Sequence, residues 1–92
     1  MSLTDATLRA AKAREKPYRL TDGKGLYCEV SPAGNRLWRL KYRFQGREKR
    51  LSLGQWPEVG LKEARLKRDE ARKVLAAGSD PGEERKQAKR AA

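Results

Sequence analysis

At 92 residues, of which 37% are hydrophobic and 38% charged, the chain is one small domain that buries about 60–65% of its unfolded surface, which limits it to a thin core of one sheet and one or two helices. The net charge of +11, from 23 Lys and Arg against 12 Asp and Glu, is the footprint of a polyanion binder, with nucleic acid ahead of an acidic membrane surface. One cysteine and no histidine exclude an internal disulfide and argue against a zinc site. No cofactor or small-molecule substrate is expected, and without a spanning apolar run or a signal-peptide core the protein is expected to be cytoplasmic, with no membrane partner.

The segment LTDATLRAAKAREKP predicts a short helix from about Asp5 to Lys12. Thr4 is its N-cap, Leu3 and Leu8 form a hydrophobic staple, and Pro17 is the outer limit. A short extended piece comes next, then a Gly-rich turn at Asp22 to Gly25 and a strand from about Leu26 to Val30. Pro32, Ala33 and Gly34 make a three-residue reversal. Arg36 to Phe44 is the longest strand, Gln45-Gly46 a tight turn, and Arg47 to Leu53 the last strand, ended by Gly54 and Pro57. Leu61 to about Ala77 is a helix with Gly60 as N-cap and Gly78 as stop, and Leu61, Ala64, Ala71, Val74 and Leu75 share its apolar stripe. Leu66 falls off the stripe, and the basic residues of this helix, interleaved with Glu63, Asp69 and Glu70, suit a solvated face with local ion pairs. Residues 1–78 are thus expected to be the domain, and residues 79–92 a polar linker or frayed helix.

Residues 36 to 50 carry seven basic side chains against Glu48, more than half of the net charge. Alternation along the long strand sends Trp38, Leu40, Tyr42 and Phe44 to one side and Leu37, Arg39, Lys41 and Arg43 to the other. The Gln45-Gly46 turn sets Tyr42 against Lys49, Leu40 against Leu51 and Trp38 against Leu53. It also sets Arg43 against Glu48, Lys41 against Arg50 and Arg39 against Ser52. The preceding turn independently pairs Cys28 with Trp38, Leu26 with Leu40, and Tyr27 with Arg39. Like charges opposite one another, as at Lys41 and Arg50, cost a sheet roughly 0.2–1 kcal/mol. A solvated face is the competing explanation, but so much charge on one ribbon favours a polyanion whose phosphates repay that cost by counterion release.

An antiparallel ribbon fits the major groove of B-DNA, about 12 Å wide, where Arg bonds a guanine edge bidentately. Duplex DNA is therefore the expected ligand, with Arg39, Lys41, Arg43 and Arg50 as principal contacts and Tyr27, Ser52, Arg47, Lys49 and Arg36 in support. Arg39 and Arg43 suit base reading, and Lys41 suits a phosphate clamp. Cys28, Trp38 and Trp56 are assigned to packing, and Glu29 to an ion pair on the cationic face.

The stretches LTDATLRAAK, KPYRLTDGKGLYCEVSPAGNRLWRLKYRFQGREKRLSLGQWPEVGLKEAR and RDEARKVLAAGSDPGEERK closely resemble the N-terminal arm-type DNA-binding domain of prophage integrases in the tyrosine recombinase superfamily. The resemblance covers roughly Leu3 to Lys86. It implies an α+β fold, with a three- to four-stranded antiparallel sheet backed by a C-terminal helix and, from the capping pattern above, a short N-terminal helix. It also implies double-stranded DNA binding at arm sites during site-specific integration and excision, other integrase subunits as partners, and a bacterial, nucleoid-associated location. The nucleophilic tyrosine and its Arg and His constellation belong to a catalytic domain; with no histidine here, no catalytic residue is expected and the chain reads as a non-enzymatic piece of a recombinase. The alternatives are a double-stranded RNA or ribosome-associated module, whose basic residues would not crowd a sheet face, and a protein-protein adaptor between recombinase subunits.

Overall fold

A computed structural model describes residues 3–85. The elements run α1 (Asp5–Ala10), β1 (Tyr18–Gly23), β2 (Leu26–Val30), β3 (Arg36–Phe44), β4 (Arg47–Trp56) and α2 (Leu61–Ala76). The four strands form one antiparallel meander in the order β1-β2-β3-β4, and α2 packs across β2, β3 and β4. This is the expected α+β architecture, with β1 as a full fourth strand.

Turn chemistry sets the registers. Lys24 and Gly25 at the first hairpin, and Gln45 and Gly46 at the third, all have positive φ, as two-residue turns matched to strand twist require. Gly25 is needed for space as well, because a Cβ there would lie 2.3 Å from the Lys41 carbonyl oxygen. The Ser31–Asn35 reversal closes with bonds of 2.9 Å from the Ser31 N–H to the Asn35 carbonyl and from the Gly34 N–H to the Ser31 carbonyl. The resulting pairs, Cys28 with Trp38, Leu26 with Leu40, Leu40 with Leu51 and Lys41 with Arg50, are those expected.

One pairing differs. Trp38 is opposite Gly54 rather than Leu53, because β4 carries an extra residue at Leu53 and then continues to Trp56. The bulge keeps Leu53 buried while re-phasing the end of the strand, so Gln55 faces Leu37 and Trp56 faces Arg36. Gly54 has φ +109, and a Cβ on it would meet Val59 Cγ2 at 2.6 Å. The loop that crowds it is held by the Trp38 indole, which donates to the Val59 carbonyl at 2.7 Å.

Trp38, Leu8, Leu26, Leu40, Val30 and Cys28 are the largest fully buried side chains. Burial pushes the Cys28 thiol up to about 11, so it behaves as a small hydrophobe. Leu61, Ala64 and Ala71 bring α2 onto this core, with Leu75 packed at its margin and Leu66 exposed. Thr4 caps α1 by accepting from the Thr7 N–H at 3.2 Å, and Leu3 and Leu8 are both buried beside it.

One region departs from expectation: Arg65 and Arg68 of α2 do not stop at local pairs but reach Asp22, whose side chain is only 2% exposed. Within 79–85, the start of the segment expected to be a linker or frayed helix, a helical turn covers 81–85, and Asp80, just before it, and Pro81 are buried. The rest of the expected linker lies outside the described residues.

Candidate nucleic-acid interface

The sheet face opposite α2 carries Arg19 and Thr21 of β1 and the odd-numbered residues of β2 and β3. Arg19 lies across from Glu29, and Tyr27 lies between Thr21 and Arg39; Arg39 faces Ser52, Lys41 faces Arg50, and Arg43 faces Glu48. Trp38, Leu40 and Tyr42 alternate with these cations and are buried on the other side. The face therefore brings together Arg39, Lys41, Arg43, Arg50, Tyr27 and Ser52, six of the nine residues singled out from the sequence.

The other three, named from the sequence as supporting contacts, lie off this face. Arg36 shares the parity of Trp38, stacks on Trp56 with its guanidinium carbon 5.2 Å from the ring centre, and donates to the Ala11 carbonyl at the end of α1. Arg47 faces Phe44 at the hairpin tip. Lys49, opposite Tyr42, turns toward the helix side and pairs with Asp80. Counting cations along the ribbon grouped these with Arg39 and Lys41, whereas the two-residue period of a strand separates them.

Arg19 and Gln55 are two face residues that sequence reasoning missed. Arg19 is exposed, with its guanidinium carbon 4.7 Å from the Tyr27 ring centre. The available signal was its even spacing from Thr21, had the extended piece been assigned as a strand. Gln55 reaches the face only through the bulge.

The electrostatics of the face are graded. Arg39 Nη2 is 3.7 Å from Glu29 Oε2, as expected for Glu29, while its Nε is buried without a partner. Lys41 Nζ contacts Glu48 Oε1 at 2.7 Å, with both side chains about half exposed. The Lys41 hydrogen bond holds the Glu48 carboxyl below the usual carboxylate range, and the charges of Arg43 and Arg50 add to this. Arg43 and Arg50 are exposed and make no hydrogen bond or ion pair among the described residues. The Tyr27 side chain is buried beneath the face, its hydroxyl without a hydrogen-bond partner among the described residues.

Such a surface has guanidinium donors that are free or only loosely paired, most of them on the β3–β4 hairpin, and a two-stranded ribbon is an element that the B-DNA major groove admits. No cluster of three or more potential metal ligands occurs among the described residues, and no described helix is long and apolar enough to cross a membrane. The fold and site together define a nucleic-acid-binding sheet module backed by a helix.

The family model of the arm DNA-binding domain matches residues 3–88, and the chain belongs to that family. It is 46% identical over 97% of its length to an integrase of Enterobacteria phage P4, and 48% identical over 86% to an integrase of Shigella phage Sf6. A prophage integrase, IntS, of Escherichia coli (strain K12) is similar at 48% over 86%. The chain spans about a fifth of the length of these relatives, covering 21%, 20% and 20% of them respectively. None of these matches supports the RNA or ribosome-associated alternative.

Proposed function

We propose that the chain docks its outer sheet face in the major groove of duplex DNA at arm-type sites, anchoring a tyrosine recombinase during integration and excision of a mobile element in the bacterial cytoplasm. The observation that carries this reading is the clustering of Arg19, Arg39, Lys41, Arg43 and Arg50 on one face of the sheet, with α2 on the other.

Arg43 is the leading base reader, because its guanidinium fork is unpaired among the described residues; Arg39 is the second and must leave Glu29 to engage. A fork of this kind bonds the O6 and N7 of guanine together. Lys41 and Arg50 neutralise phosphate, Ser52 and Gln55 donate or accept at the margin, and Tyr27 supports the face from below. Other integrase subunits and the downstream catalytic chemistry belong to the parent protein in this reading.

Four to six phosphate contacts predict a log-affinity against log-salt slope of roughly −3.5 to −5.5 on duplex DNA. Lys41→Ala should flatten that slope by about one unit. Titration by fluorescence anisotropy across a salt series checks both, and a slope near zero would remove the electrostatic basis of the assignment. Competition by duplex RNA at fixed salt should leave the DNA complex largely intact, since A-form RNA hides its major groove.

A further inference from the structure

Lys41 and Arg50 stand directly opposite each other across β3 and β4, an arrangement in which two like charges face one another without an anion between them. Glu48, two residues before Arg50 on the same strand face, supplies one: its Oε1 lies 2.7 Å from Lys41 Nζ. Its direct cross-strand neighbour is Arg43, yet the bond it makes is the diagonal one to Lys41. A carboxylate oxygen at that distance from an ammonium, with two guanidinium groups nearby, has the contact chemistry of a phosphate oxygen. The pair is half exposed, so exchanging one anion for another costs little desolvation.

We propose that Lys41 and Arg50 form a subsite for a single backbone phosphate, which the Glu48 carboxylate fills in the free protein as an internal stand-in. Binding is then an anion exchange: a phosphate oxygen takes the Lys41 ammonium and Glu48 rotates into solvent. The inference rests on the DNA-binding reading above, and it adds a position for one phosphate and an internal competitor that sets the affinity of the face for every sequence alike.

The test compares Glu48→Gln with Glu70→Gln, an exposed glutamate on α2 that shifts the net charge by the same amount. The probes are a duplex selected from a random pool by the unaltered protein, a scrambled duplex, and inorganic phosphate. At about 0.1 M salt, Glu48→Gln is expected to tighten both duplexes by about 2- to 5-fold and to steepen the salt slope by up to about one unit. Glu70→Gln, on the helix that packs against the other side of the sheet, should change either by less than about 1.5-fold. Inorganic phosphate should shift the NMR signals of Lys41 and Arg50 at lower concentration in Glu48→Gln than in the unaltered protein. Equal effects from the two substitutions would overturn the subsite, as would a Glu48 carboxyl signal that stays on Lys41 in the DNA complex. Phosphate shifts at Lys41 without salt-dependent binding of either duplex would retain the anion site and sink the DNA reading instead.

Discussion

Cations on the two sides of the sheet meet opposite fates. On the helix side, Arg65 and Arg68 converge on Asp22 and Lys49 on Asp80, two carboxylates whose side chains are 2% and 3% exposed. Asp22 also accepts the Leu3 N–H at 2.8 Å, while Arg65 donates to the Leu3 carbonyl, so one buried carboxylate joins the N-terminal segment, β1 and α2. Asp80 accepts from the Tyr42 hydroxyl at 2.6 Å and from the Gly82 N–H at 2.8 Å, closing the segment after α2 onto the β3–β4 hairpin. On the outer face, among the described residues, the partners are carboxylates 25% exposed at Glu29 and 48% exposed at Glu48, or nothing. Buried, multiply bonded acceptors make the inner cations structural; their absence leaves the outer ones available to a ligand.

The largest expected effect breaks the inner side. Asp22→Ala strands two guanidinium groups and a backbone N–H, and should cost about 3 kcal/mol in chemical denaturation. A loss below about 1 kcal/mol would mean that Arg65 and Arg68 simply return to water and that the contrast between the faces is overstated. The same side should respond to acid. Burial alone would raise the Asp80 carboxyl, but the Lys49 hydrogen bond, with those of Tyr42 and Gly82, outweighs it and holds the group at about 2 against an ordinary 3.8. The Arg65 hydrogen bond likewise lowers Asp22. For Asp80 the depressed folded value means that the contribution, at most about 2 kcal/mol, is complete above about pH 4 and disappears as the pH falls through about 2. Tyr42 runs the other way: burial, with the Asp80 bond, pushes it up to about 12 from 10.0. Its contribution is complete below about pH 10 and is lost on rising through about 12. Asp80→Asn should therefore flatten the acid limb of a stability-against-pH curve, and an unchanged limb would place the acid sensitivity elsewhere.

A matched pair of substitutions separates the faces by function. Arg43→Ala should weaken binding to a selected duplex by about 1–3 kcal/mol and relax its sequence preference, with stability within about 0.5 kcal/mol of the parent. Lys49→Ala should do the reverse, losing stability because Asp80 is left buried without its cation, while DNA affinity stays within about twofold. If Lys49→Ala weakened DNA binding as much as Arg43→Ala, the division by strand parity would fail as a guide to contacts.

How much of this was legible in the sequence depended on whether a feature is local. The hairpin registers came from Gln45-Gly46 and Pro32-Ala33-Gly34 because a short turn with defined φ leaves the flanking strands one pairing. The Thr4 cap and the Leu3 and Leu8 staple were legible for the same reason. Asp22 and Asp80 were not: in TDGKG and SDPG an aspartate is what a turn calls for, and nothing nearby in the chain says that its partners are 43 and 31 residues away. The Leu53 bulge was hidden because LSLG keeps its apolar alternation with or without the extra residue. The cationic face was legible as a charge on alternate positions of β3, but its edge strand was not, and Arg19 was lost with it.

Arg19 offers the finest probe of the outer face. It sits on the edge strand, exposed, above a tyrosine ring, a geometry that orients a guanidinium without neutralising it. A cation there extends the charged surface by two strands from Lys41, toward the backbone flanking the groove rather than the base edges in it. Arg19→Ala should accordingly weaken selected and scrambled duplexes by the same factor, about threefold at 0.1 M salt, and flatten the salt slope by about one unit. Were its task only to cover Tyr27, the substitution would lower stability and leave the slope alone. A change in sequence preference would instead make Arg19 a groove reader and extend the specific contacts from β3 to the edge strand β1.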